Sequence, residues 1–303
     1  MWFKNLLLYR FSQPFELNAE ALNEALSQHA AHPCGRHELT SYGWVEPLGR
    51  HGSQLIHATN SNLMICARKE EKVIPAAVVR DLTEEKVIAI EESEGRKVRA
   101  KEKRAMRDEI MHDMINQAFT RSSQTYAYID AKGDWLIVDA SSPKRAEELL
   151  VLLRKSVGSL PVVPAATQQS PAVVTTRWLQ QGGAELPFEL GDECELREPG
   201  EDGGVVRCRK LDLTGDEVQT HLNNGRMAVK LAVEWNERLS CILTEELAVK
   251  RLKFLDIVEE EAQLEDIDDY ATRFDTDFSI MALELNRFIP ALMKAFGGLI
   301  NND

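Results

Sequence analysis

The residues from Arg96 to Arg107 hold seven cations, Arg96, Lys97, Arg99, Lys101, Lys103, Arg104 and Arg107, against a single acid, Glu102. The surrounding residues favour helix and no proline interrupts them. On a helix Arg99, Lys103 and Arg107 fall four residues apart, so like charges stack on one face, and each such pair costs a few tenths of a kcal/mol unless something neutralises it. The run reads either as a solvated helical arm or as a polyanion contact, in which clustered cations displace counterions from nucleic acid. Smaller basic patches are Arg68, Lys69 and Lys72, then Arg207, Arg209 and Lys210, and Lys250, Arg251 and Lys253, with Arg121 apart from them. Each alone reads as a charged strand edge that blocks aggregation; together they could line a continuous basic surface. No aromatic residue is interleaved among the cations and no recognition-helix motif is present. Stacking on single-stranded bases is therefore less supported than phosphate contact, which without base readout carries little sequence preference. Phe119 is a large apolar residue in polar company, open to core packing or to a partner contact.

Other chemistries have weaker support. Asp256, Glu259–Glu261, Glu265, Asp266, Asp268, Asp269, Asp275 and Asp277 could hold two Mg²⁺ ions for nuclease work. No His or Lys base accompanies them in the sequence, and a solvated acidic surface is the simpler reading. His29, His32, Cys34 and His37 carry zinc-ligand types, but their spacing matches no standard site. Phosphate-binding glycine loops, His-Glu-x-x-His and Gly-x-Ser-x-Gly are all missing. The expectation is a protein without enzymatic activity, cofactor or metal.

The 303 residues are 44% hydrophobic, enough for two or three domains with real cores. The net charge is −13, yet it is unevenly spread. Through residue 155 there are 22 Lys+Arg and 22 Asp+Glu, whereas 14 face 27 beyond it. Such segregation fits a protein that holds an anion on one surface and repels it from another. Five scattered cysteines without a Cys-x-x-Cys pair suit a reducing compartment. With no signal-peptide pattern and no apolar run long enough to span a bilayer, the expectation is a soluble, cytoplasmic protein.

The elements that must position these residues follow in order. Residues 2–10 read as a strand and 18–31 as a helix capped by Asn18. Strands follow near 43–45, 55–58 and 63–68. From Ala76 to Ala118 the pattern is helical with a break near Gly95, a charged insertion that projects as a helical hairpin. Strands resume over 122–130 and 135–139, then a helix over 144–157 after Ser141-Ser142-Pro143, and an edge strand at 160–164. Thr167–Pro171 is the best boundary. Beyond it come a helix at 176–181, strands at 188–190, 193–196 and 205–211, and a helix over 212–222. Strands at 227–234, 239–243 and 248–254 complete a second α+β domain with an antiparallel meander. Residues 259–269 read as a loop or tether, and 274–296 as an amphipathic helix packing on the body. The fold expected is α+β, with β-α-β-β and β-β-α-β units sharing a core sheet. The domains expected are 1–75 plus 119–166 (central), 76–118 (helical arm), 167–270 (base) and 271–303 (terminal helix).

Several stretches resemble the bacterial recombination-associated RdgC family: Met1–Leu6, Ile65–Lys72, Ala118–Arg121 with Ser123–Thr125, and Leu152–Pro164. Glu201–Val205, Lys210 with Asp212–Thr214, Lys250–Phe254 and Arg273–Phe278 continue it, so the resemblance covers essentially the whole chain. It implies a homodimer closed into a ring whose positively lined hole admits duplex DNA. It also implies DNA binding without marked sequence specificity, nucleoid association, weaker binding of single strands, and restraint of RecA-promoted recombination by occupying DNA. The matched cations are Arg68, Lys69, Lys72, Arg121, Lys210, Lys250, Arg251 and Lys253. For 96–107 only the basic character transfers. A two-fold ring needs two contacts per subunit, and Phe119 is a candidate for one of them.

Overall fold

In the computed structural model, residues 1–200, 203–263 and 269–300 are described. The chain divides into two compact units. The larger comprises Met1–Leu26, Glu46–Cys66 and the chain from Thr125 onward; the smaller comprises Ser27–Val45 and Ala67–Gln124.

The larger unit is built on two antiparallel sheets. In the first, β1 (Leu7–Phe11) lies between β6 (Trp135–Asp139) and β7 (Val162–Pro164), with Leu8 opposite Ile137 and Arg10 opposite Val163. β6 pairs in turn with β5 (Phe119–Asp130), Tyr128 facing Ile137. β3 (Ile56–Thr59) and β4 (Asn62–Val73) form a hairpin with Ile56 opposite Ile65. Asn60 and Ser61 make its turn with positive φ, the conformation that two-residue hairpins need. α1 (Ala19–Ser27) starts where the Asn18 side chain accepts from the Ala21 N–H at 2.9 Å, and it buries Leu22 and Leu26. α4 (Pro143–Val157) begins with Pro at its first position and buries Leu149, Leu150, Leu152 and Leu153.

The second sheet runs β12 (Val249–Phe254), β11 (Leu239–Thr244), β10 (Met227–Trp235), β8 (Phe188–Arg197) and β9 (Val205–Arg209). α5 (Pro171–Gln181) and α6 (Asp216–Asn223) accompany it, and α8 (Tyr270–Ala295) closes the described chain. α8 reaches both sheets. Phe278 meets Tyr128 of β5 at 5.7 Å, while Phe288 meets Phe188 and Trp235 of the second sheet at 6.1 and 5.7 Å. Just past the helix, Phe296 stacks on Trp178 of α5 at 5.8 Å. The N-terminal segment also serves both sheets: Leu6 exchanges both backbone hydrogen bonds with Val249, and the next residue opens β1.

The smaller unit contains β2 (Thr40–Val45), the distal part of β4, the leading part of β5, and a helical hairpin of α2 (Ala76–Glu94) and α3 (Ala100–Ile115). Gly95 ends α2 in the left-handed conformation, at φ 66°, where the sequence places the break. β2 lies against residues 29–31, and a Cβ on Gly43 would stand 2.6 Å from the Ala31 Cα, so only glycine fits there.

Most elements lie where the sequence puts them; the differences have local causes. The first strand begins at Leu7, because residues 4–6 pair with β12 instead. Residues 188–197 are one strand interrupted by register shifts against β10, not two strands. α5 starts at Pro171, which supplies its preset first turn five residues before the expected start. α6 starts at Asp216 because Asp212 is spent on a side-chain turn with Thr214. The segment from Thr167 is tied down: Gln168 and Gln169 donate to the carbonyls of Gly298 and Phe296 at 2.9 and 3.1 Å. A helix, α7 (Asp256–Gln263), takes in residues 259–263 of the stretch 259–269 expected as a loop or tether, and 264–268 lie outside the described residues.

One carboxylate is central to this packing. Glu284 of α8 is 1% exposed and accepts from the Arg238 Nε and Nη2 at 2.7 and 3.0 Å and from Arg287 at 3.2 Å. Arg238 sits in the β10–β11 turn, so this fork fixes the turn against the helix. Removing one partner strands a buried charge. Glu284→Ala is expected to lower unfolding free energy by roughly 3–5 kcal/mol in urea titration, whereas Leu283→Ala on the exposed side should change it little.

Candidate nucleic-acid interface

The cation-rich stretch occupies the turn after Gly95 and the leading half of α3. Arg96 is folded back onto the helix ends: its Nε donates to Glu94 at 2.6 Å and its two Nη atoms donate to Glu102 at 2.8 and 2.7 Å. The Glu102 and then the Glu94 hydrogen bonds raise the pKa of Arg96, and Arg96 holds the Glu102 carboxyl below its usual range. This fork satisfies the one acid of the run. Lys97, Arg99, Lys101, Lys103, Arg104 and Arg107 are all exposed, and among the described residues none has a carboxylate within 4 Å. Arg99 is the residue preceding the helix; Lys103 and Arg107 follow it at four-residue spacing on one face. The hairpin buries Val79 and Thr83 of α2 and Ile110 and Ile115 of α3, all near its open end. Its distal half presents charge with only half-buried apolar residues, Val87, Ile90, Val98 and Met106, behind it.

The other expected cations of this unit are engaged locally. Arg68 approaches Glu70 at 3.4 Å without hydrogen-bond geometry, and Lys69 approaches Glu71 at 3.3 Å. Both pairs are two apart on β4, so each lies on one side of the strand. The Lys72 ammonium donates to the carbonyls of Ile115 and Arg36 at 2.8 and 3.1 Å. It thereby caps the carboxyl end of α3, where unpaired carbonyls and the helix dipole favour a cation. Arg121 on β5 is exposed. Phe119, the first residue of β5, is 87% exposed, the most exposed large apolar side chain among those described.

Of the candidate zinc ligands, Cys34 donates its thiol to the Glu70 carbonyl at 3.3 Å, and His37 stacks on His112 at 5.4 Å. No group of three or more His, Cys, Asp or Glu side chains lies where it could hold a metal ion, among the described residues. The acids also have partners. Asp275 bonds the His57 Nε2 at 2.8 Å, and Asp277 pairs with the Met1 amine at 2.5 Å. A histidine does accompany Asp275, therefore, although no sequence pattern signals a pairing across 218 residues.

A second basic surface lies on one face of the second sheet, around a cleft of about 400 Å³ lined by Arg207, Arg209, Lys230, Lys250 and Arg251 together with Glu193 and Glu195. Here four of the five cations are paired. Glu195 takes Arg207 at 2.9 Å and Lys230 at 3.0 Å; Glu193 takes Arg251 at 2.5 Å and Arg209 at 3.4 Å. Arg251 reaches Glu193 because β12 is bulged: its register against β11 shifts and Arg251 has φ 51°. Lys210 also has positive φ, at 52°, and with Arg251 and Lys253 it borders a wide groove of about 1190 Å³. Lys230 is the member that reading the sequence misses. Strand alternation puts it on the same face as Glu195, but only the β8–β10 register makes them neighbours.

Glu195 is 8% exposed. Burial alone would raise its pKa, but the Lys230 and Arg207 hydrogen bonds outweigh that and hold the carboxyl below its ordinary value of 4.5. A depressed carboxylate contributes stability at neutral pH, and that contribution is lost as pH falls through the folded-state pKa. Unfolding midpoints measured from pH 7 down to pH 3 are therefore expected to fall more steeply for the wild type than for Glu195→Gln, so that the wild type's advantage at neutral pH shrinks below the ordinary value.

A family profile described as "Putative exonuclease, RdgC" matches residues 1–299. Curated proteins named Recombination-associated protein RdgC are similar over nearly their full length. That of Aeromonas hydrophila is 47% identical over 98% of both chains. Those of Tolumonas auensis and Serratia proteamaculans are 45% and 44% identical, covering 98% of this chain and 99% and 98% of their own. No helix among the described residues is long and apolar enough to cross a membrane. At this identity and coverage, the chain belongs to the RdgC family of recombination-associated proteins.

Proposed function

We propose that this protein binds DNA without marked sequence preference, as a homodimeric ring around the duplex, and restrains RecA-promoted recombination by occupying the DNA. The observation that carries this reading is the row of exposed cations Lys97, Arg99, Lys101, Lys103, Arg104 and Arg107, none with a carboxylate within 4 Å among the described residues, on a protein of net charge −13. Maintaining like charges at helical spacing is unfavourable in isolation. A phosphate backbone removes that cost and returns counterions to solution. Neither basic surface presents an aromatic platform for stacked bases, which favours backbone contact over base readout. The name shared by the relatives, recombination-associated, supports a role on DNA during strand exchange.

A nuclease reading is favoured by one observation, the word exonuclease in the family description. Against it, Asp275 and Asp277 are each committed to a different partner. Binding to a random-sequence duplex across a salt series discriminates the two. A linear fall of log K with log[salt], indifferent to sequence, is expected, and incubation with Mg²⁺ should leave plasmid intact. The triple variant Lys103→Ala/Arg104→Ala/Arg107→Ala should lower the salt slope by about 0.9 for each phosphate that is no longer neutralised. Arg96→Ala, whose charge is already shared by two carboxylates, should lower it less. Cleavage by the wild type that vanishes in Asp275→Ala/Asp277→Ala would instead establish the nuclease.

The ring requires contacts at two ends of each subunit. An 87% exposed phenylalanine is an apolar surface that a second copy would cover. Phe119→Ala is expected to weaken dimerisation in sedimentation analysis and to lower DNA affinity, with the monomer's unfolding midpoint unchanged. An unaltered association constant and DNA affinity would remove Phe119 from the interface.

A further inference from the structure

The register of β8 and β9 sets two thiols directly opposite each other. Cys194 on the interior strand faces Cys208 on the edge strand, between the pairs Glu193–Arg209 and Glu195–Arg207. The hairpin closes with the Glu198 N–H donating to the Gly204 carbonyl at 3.0 Å, and Cys194 and Cys208 lie four residues from that pair on each strand. By the two-residue alternation of an antiparallel ladder they too form a hydrogen-bonded pair, with Cα atoms about 5.5 Å apart. That lies inside the span a disulfide bridges. Both side chains point to the face opposite the ion pairs, because the cysteines alternate with Glu193, Glu195, Arg207 and Arg209 along the strands.

We propose that Cys194 and Cys208 are a reversible redox modification site, forming a cross-strand disulfide that covalently ties edge strand β9 to β8.

The two thiols differ in the way such a reaction needs. Cys194 is buried, whereas Cys208 on the sheet edge is half-buried and open to a small oxidant. Burial, and then the facing Cys208 thiol, push the Cys194 thiol up to about 12, which keeps it protonated at neutral pH and leaves the first step to Cys208. With hydrogen peroxide as oxidant, the Cys208 thiolate attacks one peroxide oxygen, the O–O bond breaks, and the departing hydroxide takes a proton to leave as water. The resulting Cys208 sulfenic acid is attacked by the Cys194 sulfur; the S–S bond forms, the S–O bond breaks, and a second water leaves with the Cys194 proton. Two thiols lose two electrons and peroxide gains them. A thiol reductant reverses the reaction by exchange.

No other described cysteine shares this arrangement. Cys241 faces Val233 across the β10–β11 ladder, and Cys34 lies in the other unit against the Glu70 carbonyl. The bridge would close the chain between Cys194 and Cys208 into a loop and fix the strand that leads into Lys210, so it would act on the rim of the second basic surface. Closing that loop restricts the unfolded chain, and oxidation should therefore stabilise the fold.

The test is mass mapping of the full-length protein after graded peroxide, followed by alkylation of remaining thiols and proteolysis. A cross-linked peptide pair containing Cys194 and Cys208, lighter by two hydrogen atoms and released by dithiothreitol, is expected. The half-buried Cys34 serves as an internal gauge of oxidant dose. Recovery of both Cys194 and Cys208 as alkylated thiols at a dose that oxidises Cys34 would overturn the proposal, and so would a bridge from either one to a different cysteine. A melting temperature that rises on oxidation in the wild type, but not in Cys208→Ala, is the second readout. A rise of equal size in that variant would also overturn it.

Discussion

The structure depends on the apolar face of α8 being shared by two sheets. Phe274, Phe278, Met281, Leu285, Phe288, Ile289 and Leu292 are each at most 3% exposed and recur at helical spacing along the 26-residue helix. Tyr128 packs on one end of this row and Phe188 and Trp235 on the other, with Trp178 stacked on Phe296 just past the helix. Burial of aromatic area is the largest favourable term such a core has. Neither sheet could be separated from α8 without exposing that face. The same constraint explains why a carboxylate is tolerated inside it. Glu284 has all its charge matched by Arg238 and Arg287, so the helix is keyed to the β10–β11 turn by an interaction that is costly to break.

The two basic surfaces are electrostatically unlike, and the difference follows from their scaffolds. Strands of a sheet place charged residues across from one another, and in the second sheet Arg207 and Lys230 meet Glu195 and Arg209 meets Glu193 on adjacent strands, while Arg251 reaches Glu193 from β12. Before any of these could bind phosphate it would have to share or exchange its partner. α3 offers no such neighbours. Its single acid within the run is forked by Arg96, and the remaining six cations are exposed with no carboxylate within 4 Å among the described residues. Exposed ion pairs add little to stability, but they reduce the number of counterions a surface can release. Counting Lys and Arg therefore overstates the sheet and describes the helix fairly.

Lys72 shows how the smaller unit uses charge for another purpose. With Ile110 and Ile115 nearly the only buried side chains of α3, the helix needs polar anchorage at its base. The ammonium of Lys72 supplies this by bonding the Ile115 carbonyl and the Arg36 carbonyl of the preceding loop. The hairpin is thus fastened at its open end and presents its cationic end unsupported, an arrangement that trades packing for reach.

What the sequence determined alone was local: the strand and helix order, the Gly95 break, the Pro143 start of α4, the isolation of Phe119 and the clustering of cations between 96 and 107. These follow from periodicity, backbone preferences and composition, which act over a few residues. The resemblance to the RdgC family was legible for the same reason, as short strings of side chains in order. The tertiary structure alone decided which charges meet. Lys230 on Glu195, His57 on Asp275 and Lys72 on the end of α3 join residues 35, 218 and 43 positions apart. It also decided that residues 4–6 pair with β12 rather than extending β1. Such partners are chosen by register and by the packing of a shared core, and neither is written in any single stretch of chain.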